Sequence, residues 1–451
     1  MSDETVAITQ WLETNIGGTV RSLEQQPRWR PTWFAEVVVD AEIVGVCIRA
    51  DRSDTMMSFS LEHEMRFQQQ LHAHGVRVPK VFGWLDHPHA FAMELVAGRP
   101  DFKGVDPTDS ARVVDEYVQA LAGIHTLPID AFVDAGIERP ADPHDSAQFG
   151  WNKMVAIYRA QKRYPDPIAE FTLGWVDRHP PRSKGRLAPV VWDSGQFHHD
   201  GQHLVSVIDL ELGHLGDPMM DLAGWRMRDS IIPFGDFNKT YERYGELVGE
   251  PVDLEAIELH HIAFTLSNQL GFGHTLREPI PGSDYATNLQ WCNETNIYVT
   301  EAIADYMGID LPTEPGPEPR LTRTAAGSAH LARTLREVTI DDPVTRYRLR
   351  GAFRVAQHLA RHDEIGAAVL EADLDDLHAL LDRRPSDWQD GEEQLERFVL
   401  ADRDTGRYDE ALVPFFHRRN LRAQMLNGPD GSAMARHNPI QRFPRRLAGR
   451  A

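Results

Sequence analysis

The stretch VVWDSGQFHHDGQHLVSVIDLELGHLGDPMMDLAGW, residues 190–225, carries most of the information in this chain. Two short apolar runs, APVVW (188–192) and HLVSVID (203–209), read as a small strand pair enclosing the loop Asp193–Asp200, because apolar, β-branched runs bounded by turn residues favour extended backbone. Asp193 then stands at the end of one strand, and Asp209 and Glu211 at the end of the other. Such a hairpin brings the loop, with Gln196 and the turn Asp200–Gly201, beside Asp209. Carboxylates gathered in this way suit a hard, oxygen-liking cation such as magnesium. A further carboxylate can orient a hydroxyl nucleophile. The competing reading makes these acids ordinary loop caps, and the stretch alone leaves both open.

Upstream, WFAEVVVDAEIVGVCIR (33–49) reads as two strands around a polar turn at Asp40–Glu42. SFSLEHEMRFQQQLHAH (58–74) reads as a helix capped by its leading serines. VPKVFGW and HAFAMELVAG read as two more strands around Asp86–His87–Pro88, so the first 100 residues are strand-rich with one inserted helix. From about residue 105 the pattern turns helical. Val113, Tyr117, Leu121 and Ile124 share one face, 166–179 forms another helix, and helices follow through 221–307. TEPGPEPR (313–320) is polar and rich in proline, which predicts a linker. Beyond it, Leu349, Phe353, Ala356 and Ala360 form one helical stripe and Leu370, Leu374, Leu377 and Leu381 another, so 321–400 is expected as a helical hairpin or small bundle.

Composition narrows the class. A chain of 451 residues is long enough for two or three domains. No stretch of about 18 consecutive apolar residues exists, and no basic region opens a secretory signal, so neither a membrane span nor export is expected. The only cysteines, Cys47 and Cys292, cannot build a disulfide scaffold, and a cytoplasmic setting is expected. With 47 basic against 68 acidic residues the net charge is −21, which disfavours phosphate backbones and hence nucleic acid as a partner. The last eighteen residues differ, carrying Arg436, Arg442, Arg445, Arg446 and Arg450 without an acid, and read as a solvated or docked tail. The pair His198–His199 is expected to be solvent-exposed, since neighbouring histidines on a strand do not share a face and lack a spaced metal-binding partner.

The segment IDLELGHLGDPMMDLA, residues 208–223, resembles the aminoglycoside phosphotransferase-like family, which is built on the protein-kinase-like fold. The resemblance extends in order to Glu64 in LEHEMRFQQQL, VRVPKVFG, MELVAGRP (93–100) and LAGIHTL (121–127), covering roughly residues 10–310. It implies an α+β, two-lobed kinase-like fold: a small β-rich lobe over 1–97, a large helical lobe over 98–312, the linker 313–320, and a C-terminal helical module with a basic tail over 321–451.

The resemblance also implies roles. Asp193 matches the catalytic aspartate that orients the acceptor hydroxyl, and Asp209 the aspartate that binds magnesium (Mg2+). Arg49 falls where the family places its phosphate-contacting lysine, with Glu64 as its partner. Met93 and Glu94 match the hinge near which ATP would bind. Asp217 is expected to cap a turn and Asp221 to anchor the catalytic-loop backbone. The chain also departs from the pattern. The His-Gly ahead of the catalytic aspartate is Val191–Trp192, and the loop is short, so the metal-binding asparagine corresponds to Gln196. The phosphate-covering loop QPRWRPTW (26–33) has no glycine, and Arg28 and Arg30 would contact phosphates with guanidinium groups instead, or block the site. The expected function is ATP-dependent phosphoryl transfer to a hydroxyl of a small molecule: an aminoglycoside, a hydroxyacyl-thioester or another metabolite. The alternative is a catalytically impaired relative serving as a nucleotide-binding or scaffold protein. The C-terminal stripes need a partner surface, either the large lobe or a second copy in a homodimer.

Overall fold

The computed structural model describes residues 3–52, 55–427 and 438–443. The chain divides into two compact units, Met1–Lys153 with Arg182–Ile257, and Met154–Pro181 with Glu258–Ala451.

The first unit opens with helix α1 (Asp3–Asn15), followed by strands β1 (Thr19–Gln25), β2 (Thr32–Val39) and β3 (Glu42–Ala50), helix α2 (Leu61–Ala73), and strands β4 (Val81–Leu85) and β5 (Ala90–Glu94). The strands form one antiparallel sheet in the order β1-β2-β3-β5-β4. Alternation along β3 sends Val46, Ile48 and Ala50 to the face covered by Ile8 and Leu12 of α1. Leu61 and Met65 of α2 pack with Phe91 in a separate cluster. Arg49, between Ile48 and Ala50, therefore points away from the α1 core and meets α2. Ser60 caps α2 by accepting the His63 N–H at 3.2 Å. Helix α1 was not foreseen: only Ile8 and Leu12 of its thirteen residues are buried, too short a stripe to read.

Helices α3 (Pro107–Ile124), α4 (Ile129–Asp134), α5 (Phe149–Gln161) and α6 (Pro167–Arg178) follow. Val113, Tyr117, Leu121 and Ile124 of α3 are buried, as their spacing required. Next come four short strands, β6 (Ala188–Val190), β7 (Phe197–His199), β8 (Leu204–Val207) and β9 (His214–Gly216), and helices α7 (Met219–Asp229), α8 (Phe237–Val248) and α9 (Leu254–Thr265).

Here the strand pairing expected from sequence is corrected. β6 pairs with β9, and β8 pairs with β7, rather than β6 with β8. The apolar run 188–192 leaves the strand after Val190, because Trp192 takes a positive φ of 65°. Its last two residues signal burial in a turn, not extension. The expected exposure of His198–His199 is also corrected: His199 is fully buried. It donates Nε2–H to the Asp101 carbonyl (3.0 Å), accepts the Gly201 N–H at Nδ1 (3.1 Å) and stacks on Phe102.

The second unit takes in α6 and the larger parts of α5 and α9, and adds α10 (Ser267–Arg277), α11 (Tyr285–Met307), α12 (Ala325–Glu337), α13 (Pro343–Leu381), α14 (Trp388–Asp402) and α15 (Asp409–Met425). The two apolar stripes lie on one continuous helix of 39 residues, α13, not on two helices. α11 packs against α10, α13 and α15, and α14 against α6. Residues 313–320 carry no helix or strand, and Glu314 accepts from Arg422 at 2.7 Å. In the tail, Arg442 pairs with Asp305 at 3.3 Å, while Arg436, Arg445, Arg446 and Arg450 lie outside the described residues. Among the described residues no helix is long and apolar enough to cross a membrane.

Candidate active site

The charged cluster of the first unit forms where β3, α2 and the segment after β8 meet. Arg49 is its hub. Its Nε lies 2.9 Å from Glu64 Oε1, and its Nη2 lies 2.6 Å from Asp209 Oδ1 and 2.8 Å from Glu211 Oε2. Arg30, from the loop before β2, adds a second cation, 3.3 Å from Glu64 and 3.0 Å from Glu211. Arg30 and Glu64 are 2% and 3% exposed, so neither charge is tolerable without the other groups. Burial works against the Arg49 charge, but Glu64, Asp209 and Glu211 outweigh it and hold the guanidinium more firmly protonated than usual. Burial likewise opposes the Asp209 charge, and Arg49, Arg30 and Arg28 overcome it and keep that carboxyl below its usual range. Glu64, more deeply enclosed, is pushed up by burial despite both arginines.

Asp193 stands beside this cluster. Arg228 of α7 donates Nη2–H to its Oδ1, and Gln196 donates Nε2–H to its Oδ2 at 2.8 Å. Burial raises the Asp193 carboxyl, and Arg228 opposes that rise. The backbone around it is tied down by Asp221, whose carboxylate accepts the N–H of Val191 (3.0 Å) and Trp192 (2.5 Å) and a contact from His125 Nε2 (2.9 Å). Asp217 caps the turn into α7 by accepting the Met219 N–H at 2.8 Å. These are the two structural jobs that the sequence reading assigned to Asp221 and Asp217.

The structure thus brings Asp193, Gln196, Asp209, Arg49, Glu64 and Arg30 into one region of the first unit. Gln196 spends its amide N–H on Asp193, which leaves its Oε1 as the only atom it can offer a metal. Arg30 spends its guanidinium on carboxylates. Arg28 lies 5.9 Å from the Trp29 ring, which Arg30 and Arg52 also approach. In the segment expected as the hinge, Met93 accepts from Gln68 at its sulfur (3.4 Å), and the Glu94 N–H donates to the Lys80 carbonyl (2.8 Å). Sequence reasoning missed Arg228. The signal was present in the helical spacing of Asp221, Gly224, Trp225 and Arg228, which share one face.

The donor set fits a hard cation. Asp209 and Glu211 converge on a single nitrogen of Arg49, so their carboxylates already face one positive point. Among the described residues no group of three or more His, Cys, Asp and Glu side chains could hold a metal.

Residues 58–258 match the sequence model of the phosphotransferase enzyme family. In fold, the chain is similar to the crystal structure of a candidate aminoglycoside phosphotransferase from Ralstonia eutropha JMP134, with a TM-score of 0.51 and 18% identity, covering 64% of this chain and 94% of that one. The fold is therefore α+β and protein-kinase-like, as the motifs implied. Among curated proteins, the chain is 25% identical over 207 residues to acyl-CoA dehydrogenase family member 10 of Mus musculus, covering 43% of this chain and 19% of that protein. It is 26% identical over 176 residues to acyl-CoA dehydrogenase family member 11 of Rattus norvegicus, covering 36% and 22%. The chain spans about a fifth of the length of these relatives, and the dehydrogenase name belongs to those whole proteins.

Proposed function

From a stretch that matches the phosphotransferase enzyme family over residues 58–258, we propose that this protein transfers the γ-phosphoryl group of ATP to a hydroxyl of a small molecule. The observation that carries this reading is the placement of Asp193 beside a site where Asp209, Glu211, Arg49 and Glu64 are joined by direct ion pairs. In the reaction, the acceptor oxygen bonds to the γ-phosphorus as the bond to the β,γ-bridging oxygen breaks, and ADP leaves with that electron pair. Asp193 orients the hydroxyl and receives its proton. Asp209 and Glu211 would hold magnesium, which supplies charge neutralisation for the phosphates when bound. Arg49, held by Glu64, is placed to contact phosphate oxygens, and a planar guanidinium suits them bidentately. The acceptor classes implied by the family are aminoglycosides, hydroxyacyl-thioesters and other hydroxylated metabolites.

A second reading has a specific observation behind it. Arg30, from the glycine-free loop, is buried against Glu64 and Glu211, which supports a nucleotide-binding or scaffold protein with a closed phosphate site. Thermal-shift titration with ATP, with and without magnesium, followed by ADP release against a panel of hydroxylated metabolites, separates the two. Magnesium-dependent stabilisation with acceptor-dependent ADP release supports the kinase. Binding without turnover supports the scaffold, and no binding at all refutes the phosphotransferase.

A further inference from the structure

One face of α7 runs through Asp221, Gly224, Trp225 and Arg228, and the backbone of residues 191–196 lies on it. Asp221 takes two amides of this segment through its carboxylate and the Ser194 hydroxyl through its carbonyl (2.5 Å). Gly224 sits directly under Trp192: a Cβ there would stand 2.0 Å from the Trp192 carbonyl oxygen. Gly195, at a φ of 86°, is equally confined, since a Cβ would meet Trp225 Cδ1 at 2.6 Å and Arg228 Cγ at 3.2 Å. The last residue of the face touches the catalytic aspartate itself. Arg228 Nη2 and Gln196 Nε2 donate to the two different oxygens of Asp193. Among the described residues the buried Arg228 Nε finds no hydrogen-bond partner, and the ion pair of this arginine is with Asp193.

We propose that Arg228 is a positioning residue for phosphoryl transfer. With Gln196 it clamps the Asp193 carboxylate at both oxygens and fixes the plane from which the acceptor hydroxyl is met. The inference rests on the phosphotransferase reading and deepens it. A carboxylate with a donor on each oxygen cannot rotate about its Cβ–Cγ bond without breaking one of them, and each oxygen keeps a second lone pair for the acceptor. Arg228 therefore acts through Asp193 and not on the phosphates.

The test measures ADP release from Mg-ATP by the full chain, with the acceptor drawn from the panel above and with water. Arg228→Gln should lower kcat about 100-fold with KM for Mg-ATP unchanged, the scale expected when a reacting group loses its orientation. Added guanidinium should restore part of the loss in Arg228→Ala. Combined with Asp193→Asn, Arg228→Gln should cost nothing further, because the two act as one unit. A kcat within twofold of the parent, a rise in KM instead of a fall in kcat, or losses that multiply in the double variant would overturn the proposal. If circular-dichroism melting shows Arg228→Gln unfolded, Arg228→Lys, which keeps the charge, is read against the same limits. If the parent releases no ADP with any acceptor or with water, the phosphotransferase reading fails, and the clamp is judged without turnover. The guanidinium 15N–1H signals of Arg228 should be slowed in the parent and freed by Asp193→Asn, and signals indifferent to that substitution would overturn the clamp.

Discussion

Asp221→Asn is the substitution that the stretch 191–196 should feel most. The Asp221 carboxylate is fully buried and takes the Trp192 N–H at one oxygen, with the Val191 N–H and His125 Nε2 at the other. Asparagine has the same shape but one acceptor oxygen, so in either orientation its amino group faces at least one backbone N–H. A hydrogen bond to a charged group contributes about 1.5–3 kcal/mol, and a buried donor left unsatisfied costs about 1–3 kcal/mol. The sum predicts local destabilisation on the order of 2.5–6 kcal/mol. The damage is local, so native-state hydrogen exchange read on a peptide containing Val191 and Trp192 is the assay, and protection there should fall by a factor of about 100 or more. Asp217→Asn is the comparator: it weakens one bond at the turn into α7 and should cost about 1 kcal/mol. If protection of Val191 and Trp192 in Asp221→Asn stayed within threefold of the parent, or matched that in Asp217→Asn, Asp221 would not be the anchor of this loop.

We predict that Asp209→Asn abolishes the magnesium-dependent part of ATP stabilisation while the sheet stays folded; Mg-ATP stabilisation equal to the parent's would remove Asp209 from the metal assignment. Glu294 is pushed up by burial to about 8, and among the described residues its Oε2 has no hydrogen-bond partner. Because this lies above the unfolded value of about 4.3, the native chain holds the extra proton between the two, so this residue makes stability fall as pH rises through that window. Glu294→Gln should flatten the fall and raise Tm at pH 8.5, and a slope unchanged from the parent's would refute the assignment. Truncation at Glu314 removes α12–α15, including the buried Leu412, Val413, Phe415 and Phe416 of α15, and should expose apolar surface and cause aggregation; a soluble, monodisperse truncation would count against it. α12 buries none of its residues, and Leu331 and Val338 are exposed, so a homodimer through the C-terminal helices should sediment at twice the 51.1 kDa chain mass; sedimentation as a single chain at all concentrations would rule it out.

Asp209 and Glu64 were singled out through the motifs that resemble the family, not through periodicity. The segment 208–223 drew attention to Asp209, and the resemblance to Arg49 and Glu64; in the structure strand alternation puts Arg49 on the α2 side of β3, where it meets Glu64. The roles of Asp217 and Asp221 followed from the same segment. Other features were not legible, and each for a reason of range. An apolar run such as 188–192 encodes burial but does not name its partner, and β6 chose β9 over β8 through contacts that no local pattern records. A charged residue looks the same in sequence whether it meets water or a carboxylate, so neither the burial of Arg30 nor the grip of Arg228 on Asp193 was visible. A buried ion pair exists only where two distant segments both arrive, as Arg49 and Asp209 do across 160 residues of chain. The sequence by itself therefore determined the fold class and pointed to the clustered carboxylates, because those rest on motif and resemblance. Tertiary structure alone decided which cation faces which carboxylate, because that depends on the energy of pairing charges after water has been excluded.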